Sequence, residues 1–171
     1  MNIPLVDLKR QYASIKNEVS ERISLSLESA QYILGEEVKS FEEEFASYCD
    51  TRYAVGVGSG TAALHLGLLA LGIGPGDEVI TAANTFIATV LAISYSGAKP
   101  VLVDIDPETH NINPGLIKKA VTKKTRAVIP VHLYGQPADM DSIIEISKEF
   151  DLKVIEDACQ AHGSRYKDRR I

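Results

Sequence analysis

Runs of near-continuous apolar residues alternate with helical segments along most of this chain, and no other feature limits its fold as tightly. Glu78-Val79-Ile80-Thr81, Pro100-Val101-Leu102-Val103-Asp104, Ala127-Val128-Ile129-Pro130-Val131 and Lys153-Val154-Ile155-Glu156-Asp157 read as strands, with Ala54-Val55-Gly56-Val57 as an earlier one. Strands that are apolar on both faces belong to parallel sheets covered by helices on both sides. The intervening segments agree. Thr61 to Leu71 is apolar almost all round and is expected to be buried. Asn84 or Thr85 caps a helix through Ser94, with Gly97 as its C-terminal glycine. Asn113-Pro114 sets an N-cap before a proline at the first helical position, and Leu116, Ile117, Ala120 and Val121 should face inward. Asp139 caps a further helix whose expected core face is Met140, Ile143, Ile144, Ser147 and Phe150. The fold class is therefore α/β, a mainly parallel sheet with helices on both faces.

The first part of the chain is different. Leu8, Tyr12, Ile15, Val19 and Ile23 recur at helical spacing, giving an amphipathic helix from about Leu8 to Leu27. A second helix carries Val38, Phe41, Phe45 and Tyr48 on one face, with Glu36 and Glu37 in its first turn. The link between them contains Tyr32-Ile33-Leu34 and is expected to pack against apolar surface.

Composition narrows the function classes. The net charge of −5, with no basic cluster beyond Lys123-Lys124 and Arg169-Arg170, disfavours nucleic acid or an acidic membrane as partner. No signal pattern opens the chain and no apolar run could span a bilayer, so a cytoplasmic location is expected. Cys49 and Cys159 stand far apart and read as buried thiols, and the four histidines are scattered without partners at ligand spacing. No metal site is expected.

Parallel sheets bind ligands at the carboxyl ends of their strands. Gly58 to Thr61, Asn84 to Phe86, His132 to Gly135 and Asp157 to Gln160 all fall there and should converge on one rim. In the first of these, Gly58-Ser59-Gly60-Thr61 runs directly into a helix whose leading N–H groups would suit a phosphate. An ordinary strand–helix turn with Ser59 as N-cap fits the stretch equally well. A dinucleotide fingerprint is excluded because Thr61 stands where its third glycine belongs. A nucleotide P-loop is excluded too, since no lysine lies between Arg52 and Lys99. Asp157 ends an apolar strand and needs a cationic or N–H partner, which a ligand, a helix N-terminus or an arginine could supply. Gln160 can present both a donor and an acceptor. Phe86 could stack on a ring or simply pack in the core. Together these groups describe a site for a phosphorylated aromatic heterocycle.

Gly58-Ser59-Gly60-Thr61-Ala62-Ala63-Leu64, Asn84-Thr85-Phe86-Ile87-Ala88-Thr89 and Glu156-Asp157-Ala158-Cys159-Gln160-Ala161-His162-Gly163 resemble, in this order, the sugar aminotransferases of the DegT/DnrJ/EryC1/StrS family. Ile3-Pro4-Leu5-Val6-Asp7-Leu8 and His132-Leu133-Tyr134-Gly135 are similar as well. The resemblance implies the aspartate-aminotransferase-like (type I) fold and pyridoxal 5'-phosphate as cofactor. It assigns Gly60, Thr61 and Ala62 to the cofactor phosphate, Phe86 to stacking on the pyridine ring, Asp157 to the ring N–H and Gln160 to the ring hydroxyl. It further implies a homodimer, with an amino group passed from L-glutamate to a nucleoside-diphosphate keto-deoxysugar such as a dTDP-3-keto-6-deoxyhexose. Residues 1–50 would form an N-terminal helical segment and 51–171 the cofactor-binding large domain.

The family's Schiff-base lysine and small C-terminal domain lie beyond the stretch matched. Neither Lys153, at the wrong end of its strand, nor Lys167 fills the lysine's place. Ser164 to Ile171 reads as one strand and a turn lacking its return strand, which would leave an unpaired edge. The chain is thus expected to be a fragment, inactive by itself. A pyridoxamine-dependent sugar 3-dehydratase of the same family and a non-catalytic regulatory protein are the alternatives.

Overall fold

The apolar runs form four parallel strands, and the two central ones are hidden on both faces along nearly their whole length. The structure, a computed structural model, describes residue 4 and residues 6–171. Ile3 and Leu5 of the opening segment lie outside the described residues. The chain divides into two compact units, Met1–Gly56 and Val57–Ile171.

The second unit carries β1 (Glu78–Ala82), β2 (Lys99–Val103), β3 (Thr125–Ile129) and β4 (Lys153–Val154) in the order β2-β1-β3-β4, all parallel. The central β1 is buried along its whole length. Pro100, which has no N–H to give a ladder, stands on the edge strand β2.

Successive strand residues feed opposite cores. Ile80 and Val128 pack with Ile117 of α5 (Pro114–Ala120) and with Met140, Ile143 and Ile146 of α6 (Met140–Glu149). Val79, Ala127 and Ile129 pack with Leu64 and Leu68 of α3 (Gly60–Ala70) and Ala92 and Ile93 of α4 (Ile87–Tyr95). This is the two-faced α/β layering expected from the sequence. Truncating a fully buried residue such as Ile80 to alanine would cost about 2–5 kcal/mol.

Several local readings need correction. Ala54 to Val57 is not a strand: the Gly56 N–H goes to Glu42 Oε1 at 2.7 Å, within the first unit, and no strand pairs with this segment among the described residues. Helix α3 is buried only along Leu64 and Leu68, while Leu66, Leu69 and Leu71 are exposed. On α6, Ile146 is buried and Ile144 is not. Neither Asn84 nor Thr85 caps α4. Its N-cap is Phe86, which makes no side-chain cap bond, because the Asn84 amide is drawn to His110 O and the Thr85 hydroxyl to Thr89. Asn113 and Asp139 do cap α5 and α6 through the Gly115 and Ser142 N–H groups.

The return strand expected to be missing is present. β5 (Arg165–Tyr166) pairs antiparallel with β6 (Arg169–Arg170) across a two-residue turn in which Lys167 and Asp168 both take left-handed backbone angles.

In the first unit, α1 (Leu8–Ser29) starts on Asp7, whose Oδ1 accepts from the Arg10 N–H, and α2 (Glu36–Tyr48) has Glu36 and Glu37 in its first turn. No residue of α1 is buried. The link expected to pack is exposed, Ile33 to 87%.

Candidate functional site

Three of the four rim segments meet directly at the carboxyl ends of the strands, and the segment from Asn84 to Phe86 is tied to them through Thr85 and, on α4, Thr89. The contacts that join them run between Thr89 and Asp157, between Tyr134 and Gln160, and between Gly60 and Cys159.

Asp157 follows β4 and forms an isolated parallel bridge with Val131. Its N–H donates to Pro130 O at 2.9 Å and its carbonyl accepts from the His132 N–H at 3.1 Å. The residue is only 6% exposed. Oδ2 accepts from Thr89 Oγ1 at 2.8 Å and Oδ1 from the Cys159 N–H at 3.2 Å. Asp157 makes no ion pair among the described residues, so the arginine partner that the sequence left open is not found. A buried carboxylate held by two neutral donors keeps acceptor capacity for a positively charged N–H.

Ser59 is the N-cap of α3, and its Oγ accepts from the Ala62 N–H at 3.1 Å. The cap leaves the Gly60 and Thr61 N–H groups over at the positive end of the helix, where an anion is favoured. An anion seated there would meet Gly60 and Thr61 directly and share the Ala62 N–H with Ser59. The cap and the phosphate cradle, alternatives in the sequence, are thus compatible. Gly60 lets the helix start come this close to the strand end: a Cβ on it would sit 2.7 Å from Cys159 Sγ, so the thiol or the helix start would have to move.

Phe86 is 68% exposed at the start of α4, which rules out core packing and leaves a flat face open at the rim. Gln160 Oε1 accepts from the Tyr134 N–H at 2.8 Å.

Sequence reasoning gave no role to the residues that brace these groups. Tyr134 has a left-handed backbone, costly for a bulky residue, within the short turn Leu133–Gly135. The turn is pinned by Asn111, whose Oδ1 accepts from the Leu133 N–H while its Nδ2 donates to Gln136 O and Pro137 O. His132, fully buried, accepts the Ala138 N–H on Nδ1, which leaves the proton on Nε2 to donate to Glu156 Oε2 at 3.0 Å. Thr89 stood in the sequence only as the last residue of the motif at 84–89, with no role of its own. Nothing in the sequence marked Asn111.

The thiols expected to be buried are not: Cys49 is half-buried and Cys159 exposed. Protein packed about the Cys159 sulfur, then the Asp157 carboxylate, push that thiol up to about 11. Among the lysines, Lys153 begins β4 at the end away from the rim, and Lys167 is held by Asp141 on the hairpin. Among the described residues, no group of three or more His, Cys, Asp or Glu could hold a metal, and no helix is long and apolar enough to cross a membrane.

The donor set fits a phosphorylated pyridine. Leftover helix N–H groups suit the phosphate, an open aromatic face suits the ring, a buried carboxylate suits a ring N–H, and an amide suits a ring oxygen.

Comparison with known proteins extends this. The sequence model of the DegT/DnrJ/EryC1/StrS aminotransferase family matches residues 13–171. The chain is 50% identical over 169 residues to dTDP-3-amino-3,4,6-trideoxy-alpha-D-glucose transaminase of Streptomyces venezuelae, covering 99% of this chain and 45% of that protein. It is also 50% identical over 171 residues to the pleiotropic regulatory protein of Geobacillus stearothermophilus, covering 100% of this chain and 46% of that one. Among solved structures, that of S. venezuelae DesV in complex with a ketimine intermediate superposes with a TM-score of 0.97 at 50% identity, covering 99% of this chain and 46% of DesV. The chain spans about half the length of the curated relatives it matches.

Proposed function

This chain belongs to the DegT/DnrJ/EryC1/StrS aminotransferase family, and on that premise we propose that it is the cofactor-binding portion of a pyridoxal-phosphate-dependent nucleotide-sugar aminotransferase. Its substrates in this reading are a nucleoside-diphosphate keto-deoxysugar of the dTDP-3-keto-6-deoxyhexose class and an amino donor, L-glutamate. Residues 51–171 form the cofactor-binding part and 1–50 the N-terminal helical segment. The observation that carries the reading is the buried Asp157 carboxylate, held by two neutral donors and paired with no cation among the described residues.

Pyridoxal phosphate supplies, when bound, a protonated pyridine ring that withdraws electron density from the carbon carrying the transferred nitrogen. Asp157 holds the proton on the ring nitrogen, because an opposite charge beside that group favours its charged form. Gly60 and Thr61 anchor the phosphate by backbone N–H groups, and Ala62 adds its own where Ser59 yields it. Phe86 covers one ring face and excludes water from it. Gln160 fixes the ring's rotation by bonding the ring oxygen. The similarity to a dTDP-sugar transaminase supports the sugar class.

A homodimer belongs to the same reading. It is supported by an open apolar groove along α1, lined by Ile15, Val19, Ile23, Leu27 and Tyr32. A non-catalytic reading has one finding in its favour, the equal identity to a protein named as a pleiotropic regulator.

The deciding experiment incubates the full-length protein with pyridoxal phosphate, L-glutamate and dTDP-3-keto-6-deoxyglucose and follows 2-oxoglutarate and the amino sugar. Equimolar formation of both is expected. Tight cofactor binding with no turnover of any nucleoside-diphosphate keto sugar would leave the regulatory reading standing in its place.

A further inference from the structure

Asp157 can serve a ring N–H only if its carboxylate is aimed, and no cation among the described residues aims it. Two donors from different parts of the chain do so instead. Cys159 N–H fixes Oδ1 from the strand's own continuation, and Thr89 Oγ1 fixes Oδ2 from α4, 68 residues away in sequence. As a carboxylate Asp157 can only accept, so Thr89 gives it the single proton of its hydroxyl. The 2.9 Å contact between the Thr85 and Thr89 hydroxyls must then run from Thr85 to Thr89. The result is a directed relay, Thr85 to Thr89 to Asp157.

We propose that Thr89 is a positioning residue for Asp157, the inner link of a hydroxyl relay that sets the carboxylate against the cofactor's ring nitrogen. Three features make it suited to this. It is fully buried, so water does not compete for its proton. As a β-branched residue on a helix it has few side-chain rotamers. Its own N–H donates to Phe86 O at 3.1 Å, so the turn of helix that presents the Phe86 ring also presents the hydroxyl that holds Asp157. Ring face and ring nitrogen are thereby registered by one element. Turning the carboxylate about its last bond would break the bond to Thr89 or the bond to Cys159. The inference rests on the cofactor reading above and deepens it.

The test uses the full-length protein loaded with pyridoxal phosphate carrying 15N in its ring, and compares Thr89→Val, Thr89→Ser, Thr85→Val and Asp157→Ala with the parent. The readouts are the ring 15N shift, which reports the ring proton, and the cofactor Kd. Losing a hydrogen bond to a charged group should weaken binding by about tenfold or more in Thr89→Val, with the 15N signal moved toward the unprotonated ring. Thr89→Ser, which keeps the hydroxyl, should restore the parent's shift. Thr85→Val leaves the packing of Thr89 in place and should move both readouts the same way by a smaller amount, so it decides the matter should Thr89→Val fail to fold. A parent-like shift in Thr89→Val, an equal loss in Thr89→Ser, or an unchanged Thr85→Val would overturn the relay. If Asp157→Ala also left the shift and Kd unchanged, the cofactor reading itself would fall; a silent Thr89→Val beside a disrupted Asp157→Ala would remove the relay alone.

Discussion

The backbone N–H of Tyr134 donates to Gln160 Oε1 at 2.8 Å, and this one contact orients the whole Gln160 amide. A backbone N–H can only donate, so the amide oxygen must face Tyr134 and the NH2 must face away from it. In the proposed cofactor site Gln160 would therefore offer the ring oxygen a donor. Gln160→Glu would keep the bond to Tyr134 and replace the outward donor by an acceptor. Its expected effect is a rise in the Kd for pyridoxal phosphate of about tenfold or more with little change in thermal stability, read by fluorescence titration and a melting curve. An unchanged Kd would mean that Gln160 does not face the cofactor.

Asp157→Asn should fail for two reasons that act together. A neutral amide does not hold the ring proton, and its single acceptor atom can satisfy only one of the two donors, Thr89 Oγ1 and Cys159 N–H, that both find oxygen now. The NH2 group would then face the other donor. Transamination by the full-length protein should drop by roughly a hundredfold or more while the circular dichroism spectrum stays native, the scale expected for a lost hydrogen bond to a charged group. Near-normal turnover in Asp157→Asn would remove the electronic role assigned to this carboxylate.

The layering of the second unit was legible because burial on both faces leaves a compositional mark, as in Val79-Ile80 and Val128-Ile129. The convergence at the rim followed from that layering, since strand ends on one edge of a parallel sheet are neighbours whatever their separation in sequence. Features set by a partner were not legible. Ala54 to Val57 has the composition of a strand, but strands are made by pairing, and its Gly56 N–H goes to a carboxylate instead. Leu66 and Leu69 look like core residues and are exposed, because hydrophobicity marks a preference for burial without naming the covering surface. Asn111 escaped notice, and His132 was placed at the rim without its bracing role, for a further reason. A buried polar residue is recognised by the bonds that satisfy it, and those bonds, to Leu133, Gln136, Pro137 and Ala138, exist only in the folded loop.

The Cys159 thiol should be slow to alkylate. It is pushed up from 9.0 to about 11, first by the protein packed around it and then by the neighbouring Asp157 carboxylate. The thiolate is the reactive form, so at pH 8 its rate should fall about a hundredfold below that of a free thiol and reach half of its plateau only near pH 11. Iodoacetamide labelling of a Cys49→Ser background, read by mass spectrometry across pH, gives the profile directly. Asp157→Ala removes the carboxylate and leaves the packing, so the midpoint should move down without reaching the free value. An ordinary midpoint near 9 in the parent would show that the thiol does not sit where the structure puts it.

Gly60 and Cys159 should prove energetically coupled, because the start of α3 and the end of the Asp157 strand approach through them. An added Cβ on Gly60 would lie 2.7 Å from Cys159 Sγ, closer than real side chains come, so Gly60→Ala must turn the thiol away or push the helix start back. Overpacking of this kind costs about 1–3 kcal/mol. A sulfur can swing about a single bond, which puts the expected loss at the lower end of that range. The shift that relieves the contact also moves the leftover N–H groups of Gly60 and Thr61, so phosphate affinity should fall together with stability. Cys159→Ala removes the obstructing sulfur and should be close to neutral alone. In the double variant Gly60→Ala with Cys159→Ala the contact is gone from both sides, and both stability and cofactor affinity should return most of the way. A double-mutant cycle measured by thermal unfolding and by pyridoxal phosphate titration reads the coupling, expected at 0.5 kcal/mol or somewhat more, about the scale of touching pairs. Strictly additive effects would place the cost of Gly60→Ala in the local backbone rather than in the contact with Cys159, and the close approach of these two segments would then not be what the glycine is there to allow.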